Sequence, residues 1–302
     1  MEDSSKNPWL AEDAIRGLYR KFLVLAGLLA LAFIKPLVDL ASFALKHDLH
    51  SHTILIPFIS GYLVYIQWHK VPREGSDSRL GAVVAGLLGL AALGLWGILR
   101  AGGGLSQNDY LSLTLFALVC FVNAAAWGVF GAGRVKPLAF GMAFLIFMVP
   151  MPGSLTKGLE IASQYASAEA ANLFFLLSQT TLYREGVNFV LPGITIQVAE
   201  ECSGIRSSYV LFITSLVAGQ LFLRSAGSRA ALALVILPLG VLRNGFRVWV
   251  ISMLCVHISP EMIHSVIHKR GGPFFFALSL IPLFLFMIWL RRREQKRLAK
   301  TS

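Results

Sequence analysis

The sequence predicts an all-α polytopic membrane protein, and three properties of its composition support that fold class. Hydrophobic residues make up 56% of the 302 residues, charged residues only 14%, and the mean hydropathy is +0.67. An ordinary soluble domain contains about 25% charged residues. A soluble protein of this composition would expose large apolar patches, which soluble monomers avoid. The composition therefore excludes the soluble globular, disordered, disulfide-rich and coiled-coil classes.

Eight apolar stretches are long enough, or nearly long enough, to cross a hydrocarbon layer of about 30 Å. The second and the fifth are the shortest. We predict one integral membrane domain over residues 1–302, with a cytoplasmic segment at 1–21, a transmembrane core at 22–290 and a basic cytoplasmic tail at 291–302. The predicted spans are residues 22–43, 53–68, 81–99, 111–130, 137–150, 207–223, 230–254 and 273–290.

The basic residues lie in short clusters between the apolar stretches, and this distribution predicts the orientation. Seventeen of the 27 lysines and arginines fall on the side of the two termini and seven on the other side, while Lys35, Arg243 and Arg247 lie within predicted spans. Because cytoplasmic loops are rich in Lys and Arg, we predict that both termini are cytoplasmic and that the protein lies in the inner membrane. A nucleic-acid binder would concentrate its cations on one face, so we expect no nucleic-acid partner despite the net charge of +11.

Residues 1–44 have a second interpretation, a cleaved signal peptide. The apolar run 22–34 has a suitable length, and Ser42-Phe43-Ala44 weakly resembles a cleavage site. The region before this run is long and carries four acidic residues, which is unusual for a signal peptide. We therefore expect residues 22–43 to form the first span.

The stretch 151–206 joins the fifth and sixth predicted spans on the outer side. Residues 154–181 alternate polar and apolar side chains and predict an amphipathic helix in the plane of the interface. Its polar face consists of Lys157, Glu160, Gln164, Ser167 and Glu169, and its apolar face of Leu159, Ile161, Tyr165 and Leu173. A re-entrant or spanning helix is the alternative, although one more crossing would change the parity of the topology. Residues 186–198 then predict a β-hairpin that turns at Pro192-Gly193 and leads towards Cys202.

Cys202 stands where the sixth span begins. A thiol at a helix N-terminus faces unpaired N–H groups and the positive end of the helix dipole, which favour the thiolate and stabilise an oxyanion. Arg206, in the first turn, adds positive charge, whereas the adjacent Glu201 opposes the thiolate. A cysteine that only packs is the alternative. Cys120 and Cys255 lie in apolar stretches and are predicted to be small core residues.

The seventh span contains three strongly polar residues, Arg243, Asn244 and Arg247. A guanidinium inside a bilayer costs about 2.5–3.5 kcal/mol on insertion scales, which favours a functional role. The spacings of three and four residues place the three side chains on one helix face. Pairing with internal counter-charges, or snorkelling to the interface, is the alternative.

Three histidines follow on the outer side, and an imidazole can carry protons to and from a thiol near neutral pH. Each histidine taken alone is more simply an ordinary interfacial residue. The three are His257, His264 and His268; three more occupy positions 47, 50 and 52. Since no histidine or cysteine spacing typical of a metal site is present, we expect no metal and no other cofactor.

The predicted topology brings Cys202, Arg247 and His268 to the same outer face. A cysteine nucleophile, an arginine that stabilises charge and a histidine that carries protons form a workable set for acyl transfer. The convergence of three separate segments is stronger than any of the three signals alone.

Five sequence blocks, taken in this order, resemble those of the exosortase/archaeosortase family of membrane transpeptidases. The resemblance covers about residues 50–290, and two positions depart from the family pattern. Glu201 stands where members carry a small residue, and Pro273 stands where a tryptophan is usual. The blocks are Ser51–Ser60, Phe147–Pro152, Glu201–Ser207, Arg243–Val248 and His268 with Gly272.

The resemblance implies a cysteine transpeptidase that cleaves C-terminal sorting signals of exported proteins, each with a short motif, a transmembrane helix and a basic tail. Cys202 would form a thioester, His268 would shuttle protons and Arg247 would stabilise the oxyanion. A lipid or a surface glycan precursor would accept the acyl group, and membrane lipids would surround the site. The supporting residues would be Glu201, Ser203, Arg206, Arg243 and Asn244.

Two alternatives from other classes remain at this point. The first is a transporter or channel in which Arg243 and Arg247 line an anion path, although the third, fourth and eighth spans are almost wholly apolar. The second is a non-catalytic membrane assembly factor for envelope polysaccharide, which would use residues 151–206 as a docking surface. Rapid labelling of Cys202 by a thiol probe would favour the enzyme over both.

Overall fold

The computed structural model describes residues 8–46, 48–72, 78–198, 204–264 and 271–301. The chain divides into an N-terminal unit, Met1–Gly153, and a C-terminal unit, Ser154–Ser302. Helices dominate both units, and the only β structure in the described residues is one small sheet. The predicted all-α polytopic membrane class is confirmed.

The N-terminal unit is built from helices joined by short turns of 3₁₀ helix. Among its described residues, the 3₁₀ segments are Asp48–Ile54, Trp68–Lys70, Lys136–Leu138 and Leu145–Met148. The α-helices are α1 (Pro8–Ala32), α2 (Ile34–Lys46), α3 (Ile56–Gln67), α4 (Leu80–Ala101), α5 (Gln107–Val135) and α6 (Ala139–Phe144).

A bend of 70° separates α1 from α2. Pro36 accounts for it, because its ring nitrogen cannot donate to the carbonyl of Ala32 and its ring crowds that carbonyl. The helical hydrogen bonds of the neighbouring residues persist, with the N–H of Phe33 donating to Leu29 and the N–H of Leu37 donating to Phe33. The chain therefore turns sharply without losing its helical hydrogen bonds on either side.

Among its described residues, the C-terminal unit combines five α-helices and the 3₁₀ segment Pro260–His264 with a three-stranded antiparallel sheet of order β1-β2-β3. Phe189 in β2 pairs with Arg184 in β1 and with Ile196 in β3. The predicted hairpin is present as β2 and β3, and β1 adds a strand that the pattern did not predict. The elements are α7 (Gly153–Leu177), β1 (Tyr183–Glu185), β2 (Asn188–Leu191), β3 (Ile194–Gln197), α8 (Ile205–Phe222), α9 (Ala226–Leu234), α10 (Ile236–His257) and α11 (Gly272–Thr301).

Two apolar cores hold the C-terminal unit together, and α10 contributes to both. The first core packs α7 and the sheet against the second half of α10, with Phe175, Phe189 and Ile251 among its buried side chains. The second packs α8, α9 and α11 against the first half of α10, around Leu232 and Ile236. Helix α10 is therefore the central element of this unit.

A salt bridge outside the predicted spans ties the sheet to α7. Arg184 in β1 donates to both carboxylate oxygens of Glu169, at 3.0 and 2.6 Å. The hydrogen bonds from Arg184 lower the pKa of the Glu169 carboxyl. The bridge is therefore lost only when the pH falls below the ordinary range of a glutamate.

Helix lengths give fewer membrane spans than the apolar stretches predict. In the described chain, five helical segments are long and apolar enough to cross a membrane, or six if α1 and α2 form one bent span. The predicted second span corresponds to α3, whose 12 residues cover only about 18 Å. The predicted fifth falls in the short α6 and the 3₁₀ turn after it. An apolar stretch predicts burial or lipid contact, but it does not show where a helix breaks.

Helix α7 lies where the amphipathic helix was predicted, but its buried face differs from the expected one. Gln164 and Ser167, which were assigned to the polar face, are 8% and 0% exposed, whereas Leu159 and Tyr165 are exposed. Small and polar side chains allow α7 to pack closely inside the unit.

Three further expectations stay predictions: the placement of α7 in the membrane interface, the single domain and the cytoplasmic termini. Cys120 and Cys255 are buried, as predicted.

We predict that Gly245→Ala destabilises the protein, because a Cβ at Gly245 in α10 would lie 2.5 Å from the Cβ of Ala170 in α7. Overpacking of this kind costs about 1–3 kcal/mol. Gly158→Ala in α7 is the matched control, since no atom lies within 4 Å of its added Cβ, and its higher helix propensity adds about 0.5–1 kcal/mol. Thermal unfolding in detergent should show a lower Tm for the first variant and an unchanged or higher Tm for the second. Equal shifts in both variants would contradict the close α7–α10 packing.

Candidate active site

Four of the predicted site residues lie outside the described part of the chain. Glu201, Cys202 and Ser203 belong to the segment 199–203, and His268 belongs to the segment 265–270. The described site consists of the residues that border these two segments, together with the polar side chains of α8 and α10. All of these residues belong to the C-terminal unit.

The chain that leads into the first segment is held at Val198. This residue is 1% exposed, and its N–H donates to the carbonyl of Val187 at 3.0 Å. Its carbonyl accepts a hydrogen bond from Nε2 of Gln164, a buried side chain of α7. The end of β3 is therefore fixed to the sheet and to α7 four residues before Cys202.

The chain that leaves the first segment is held at Gly204, the N-cap of α8. The Gly204 carbonyl accepts from Nη2 of Arg243 in α10 at 3.0 Å, and the same nitrogen donates to Oγ of Ser208 at 3.2 Å. The residue has φ +71°, a left-handed conformation that favours glycine. An added Cβ would lie 3.0 Å from Arg243 Nη2 and 3.1 Å from the side-chain amide of Asn244. The conformation therefore favours glycine here, and a larger side chain would also have to displace Arg243 and Asn244 by a few tenths of an ångström.

Arg243 and Asn244 are both buried, with 8% and 2% exposure. Nη1 of Arg243 has no hydrogen-bond partner among the residues that the structure describes. A buried guanidinium N–H without an acceptor is unfavourable by about 1–3 kcal/mol. This donor is therefore suited to a carbonyl or anionic oxygen that is not among the described groups.

Arg206 and Arg247 border the same region but do not share the burial of Arg243. Helix α8 begins at Ile205, so Arg206 lies in its first turn and its side chain is exposed. Arg247 lies one turn after Arg243 in α10 and is half-buried. The structure thus brings Arg243 and Asn244 to Gly204. It places Arg206 two residues after Gly204 and Arg247 one turn after Arg243.

The residues that follow the second segment, 265–270, pack against α10. Phe275, in the first turn of α11, is 3% exposed, and its ring centroid lies 6.3 Å from that of Phe246. Phe246 contacts Trp249 of its own helix and Phe174 of α7, both at 5.6 Å. Phe246, which directly precedes Arg247 in α10, therefore packs against the start of α11, the helix that follows His268.

Three site-building residues were not singled out from the sequence. Gly204 appeared only as part of a sequence block, although a glycine directly before a helix start is a usable signal. Ser208, four residues later, lies on the same face of α8 and was not predicted to be a site residue. Gln164 was assigned to a polar outer face, so its bond to Val198 could not be predicted without the packing of α7.

No group of three or more His, Cys, Asp or Glu side chains is placed to hold a metal ion in the described ranges. The described site contains several hydrogen-bond donors. They are the guanidinium of Arg243, the amide of Asn244 and the first backbone N–H groups of α8. Such donors stabilise negative charge on oxygen. The arrangement is therefore suited to a reaction that passes through an oxyanion.

Comparison with known proteins identifies a family for this chain. A family model described as a transmembrane exosortase matches residues 40–285, about four fifths of the chain. No curated protein and no solved structure matches the chain. The matched range includes both segments and all the polar residues of α8 and α10 described above.

We predict that Gly204→Ala destabilises the protein more than Gly193→Ala does. Both glycines have positive φ, +71° and +81°, so both substitutions carry backbone strain, but only the Cβ at residue 204 would approach Arg243 and Asn244. Strain in the left-handed region costs about 1–2 kcal/mol, and displacement of the Arg243 hydrogen bond adds to it. Thermal unfolding of the two variants in detergent measures the difference. Equal losses of Tm would show that the contact with Arg243 contributes no stability.

Proposed function

Because the chain belongs to the transmembrane exosortase family, we propose that it is a membrane cysteine transpeptidase that cleaves the C-terminal sorting signals of exported proteins. The observation that carries the proposal is the anchoring of the segment around Cys202 at both ends. Gln164 holds the carbonyl of Val198 on one side, and Arg243 holds the carbonyl of Gly204 on the other. A nucleophile needs such support, since a small displacement from the reacting geometry lowers the rate strongly.

In the proposed reaction, the thiolate of Cys202 attacks the carbonyl carbon of the scissile peptide bond. A C–S bond forms, and the tetrahedral oxyanion collapses with loss of the amine, which takes a proton from His268. The acyl group is then held as a thioester on Cys202. A hydroxyl or amine of the acceptor, a lipid or a surface glycan precursor, gives its proton to His268 and displaces the thiolate.

Arginine and backbone donors would stabilise the oxyanion in this scheme. Arg247 is proposed to donate to it directly, together with the first N–H groups of α8. Arg243 is proposed as a positioning residue that fixes Gly204 and therefore the direction of those N–H groups. Arg206 would add positive charge in the first turn of α8, and Asn244 would support the Gly204 turn. Glu201 and Ser203, which flank Cys202, would complete the surroundings of the thiol.

The site would be reached from the outer side of the inner membrane, as the distribution of Lys and Arg supports. The proposed cleavage takes place at the outer membrane-water interface. A substrate whose own C-terminal helix lies in the bilayer beside the enzyme would present its scissile bond there. The proposed partners are therefore exported proteins with such a tail, the acceptor and the surrounding lipids, and no nucleic acid.

We predict that Cys202→Ala abolishes processing while the protein still folds and inserts, because the thiol supplies the nucleophile. The test uses a reporter with a C-terminal tail of short motif, apolar helix and basic residues from the same genome, and follows its cleavage by gel shift. Cys120→Ala and Cys255→Ala are the controls and should keep activity. Cleavage by the Cys202 variant at the wild-type rate would exclude the thioester mechanism, whereas no cleavage by the wild-type protein would favour an assembly factor or a transporter for envelope polysaccharide.

The two arginines of α10 should separate by role. Arg247→Lys keeps the charge but loses the planar fork, and we expect a fall of about a hundred- to a thousand-fold in the rate of thioester formation with little change in Tm. Arg243→Lys should reduce the rate less but lower the Tm, because Nη2 of Arg243 bonds to both Gly204 and Ser208. Rate and Tm are measured on the same purified variants. A wild-type rate for Arg247→Lys would contradict its role at the oxyanion.

A further inference from the structure

A cavity of about 750 Å³ lies in the N-terminal unit, far in sequence from the proposed catalytic residues. Ligand sites in proteins have volumes of about 300–1,000 Å³. The cavity forms where the bend between α1 and α2 opens a space beside the C-terminal end of α4 and the N-terminal end of α5. The lining residues that matter are Phe33, Lys35, Trp96, Arg100, Leu105 and Tyr110.

Two cations line this cavity, and none of its lining residues is acidic. Lys35 is exposed and makes no hydrogen bond or ion pair to any described residue. The guanidinium of Arg100 lies over the ring of Trp96, 5.3 Å from its centroid, which orients it without using its N–H donors. Asp39, one turn after Lys35 in α2, accepts a hydrogen bond from the hydroxyl of Tyr110 at 3.2 Å. The cavity therefore presents a net positive charge with unused donors.

The rest of the lining is apolar and aromatic, which indicates an amphiphilic ligand. The ring centroids of Trp96 and Tyr110 lie 6.3 Å apart, and these two residue types are enriched where lipid headgroups meet the hydrocarbon. The cavity adjoins α4. In the most apolar stretch of this helix, only 11% of the residues are buried inside the protein. Ile98, on that helix, is 72% exposed. An acyl chain could lie along this surface while its headgroup enters the cavity.

We propose that this cavity binds an anionic phospholipid, with the phosphate between Lys35 and Arg100 and an acyl chain along α4. Basic pockets between membrane helices hold anionic headgroups in this way, by charge and by N–H donors. The cavity does not depend on the proposed transpeptidase activity, since none of its residues belongs to the proposed catalytic set. A free phosphate ion shares the charge chemistry, but it would leave the apolar lining and the exposed face of α4 unused.

The test measures lipid binding to the full chain purified in a neutral detergent. Native mass spectrometry counts bound phosphatidylglycerol during a titration, and phosphatidylcholine provides the zwitterionic comparison. The double variant Lys35→Gln/Arg100→Gln should bind phosphatidylglycerol about thirty-fold more weakly, since each cation at an anionic lipid contributes about a factor of five. The charge-keeping variant Lys35→Arg/Arg100→Lys should stay within about threefold of wild type, because the electrostatic contribution is retained.

The matched control is Lys46→Gln/Arg79→Gln, which removes a cation from the opposite end of each of the same two helices. This control should bind phosphatidylglycerol as the wild type does, and phosphatidylcholine should bind at least tenfold more weakly than phosphatidylglycerol to the wild type. Equal losses in the cavity variant and the control, or equal binding of the two lipids, would overturn the proposal. Displacement of phosphatidylglycerol by millimolar inorganic phosphate would also overturn it, in favour of a site for the free ion. An unchanged Tm of the cavity variant excludes misfolding as the cause.

Discussion

The hydrogen bond from Arg243 to the carbonyl of Gly204 is the interaction on which the C-terminal unit depends. It joins the middle of one apolar helix to the N-cap residue of another, and it does so with a guanidinium that is 8% exposed. A charge in such a position is unfavourable unless polar groups surround it. The Gly204 carbonyl, the Ser208 hydroxyl and the adjacent Asn244 amide provide that surrounding. The same interaction fixes where α8 begins and therefore where its N-terminal amides point.

Close backbone packing makes this interaction possible. Gly240 in α10 faces Ser208 of α8, and Gly245 in α10 faces Ala170 of α7. Small residues at helix contacts allow the two backbones to approach closely. This matters in a bilayer, because no hydrophobic effect drives the helices together there. Because α10 makes both contacts and also places Phe246 against Phe275, a single helix supports both segments in which the proposed nucleophile and proton carrier lie. Positioning in this unit therefore depends on close packing together with the hydrogen bond from Arg243.

Much of the fold could be predicted because a bilayer imposes simple rules on sequence. Long apolar runs predicted α4, α5, α8, α10 and α11. The second and fifth predicted spans correspond to helices that are shorter than a full crossing, since hydropathy does not register the breaks that shorten α3 and α6. The inner face of α7 was also assigned wrongly: Gln164 was taken as a solvent-facing residue, and only its contact with Val198 reveals the reason for a buried amide.

The sequence by itself determined the membrane class, the hairpin before Cys202 and the concentration of polar residues in one apolar helix. It could not determine which arginine contacts the start of α8. Arg243 and Arg247 are four residues apart, so helical periodicity places both on the same face. The contact is set by the register of α8 against α10, which brings Gly204 level with Arg243 and leaves Arg247 one turn beyond. Register depends on contacts between residues distant in sequence, and for that reason only the tertiary structure could decide it.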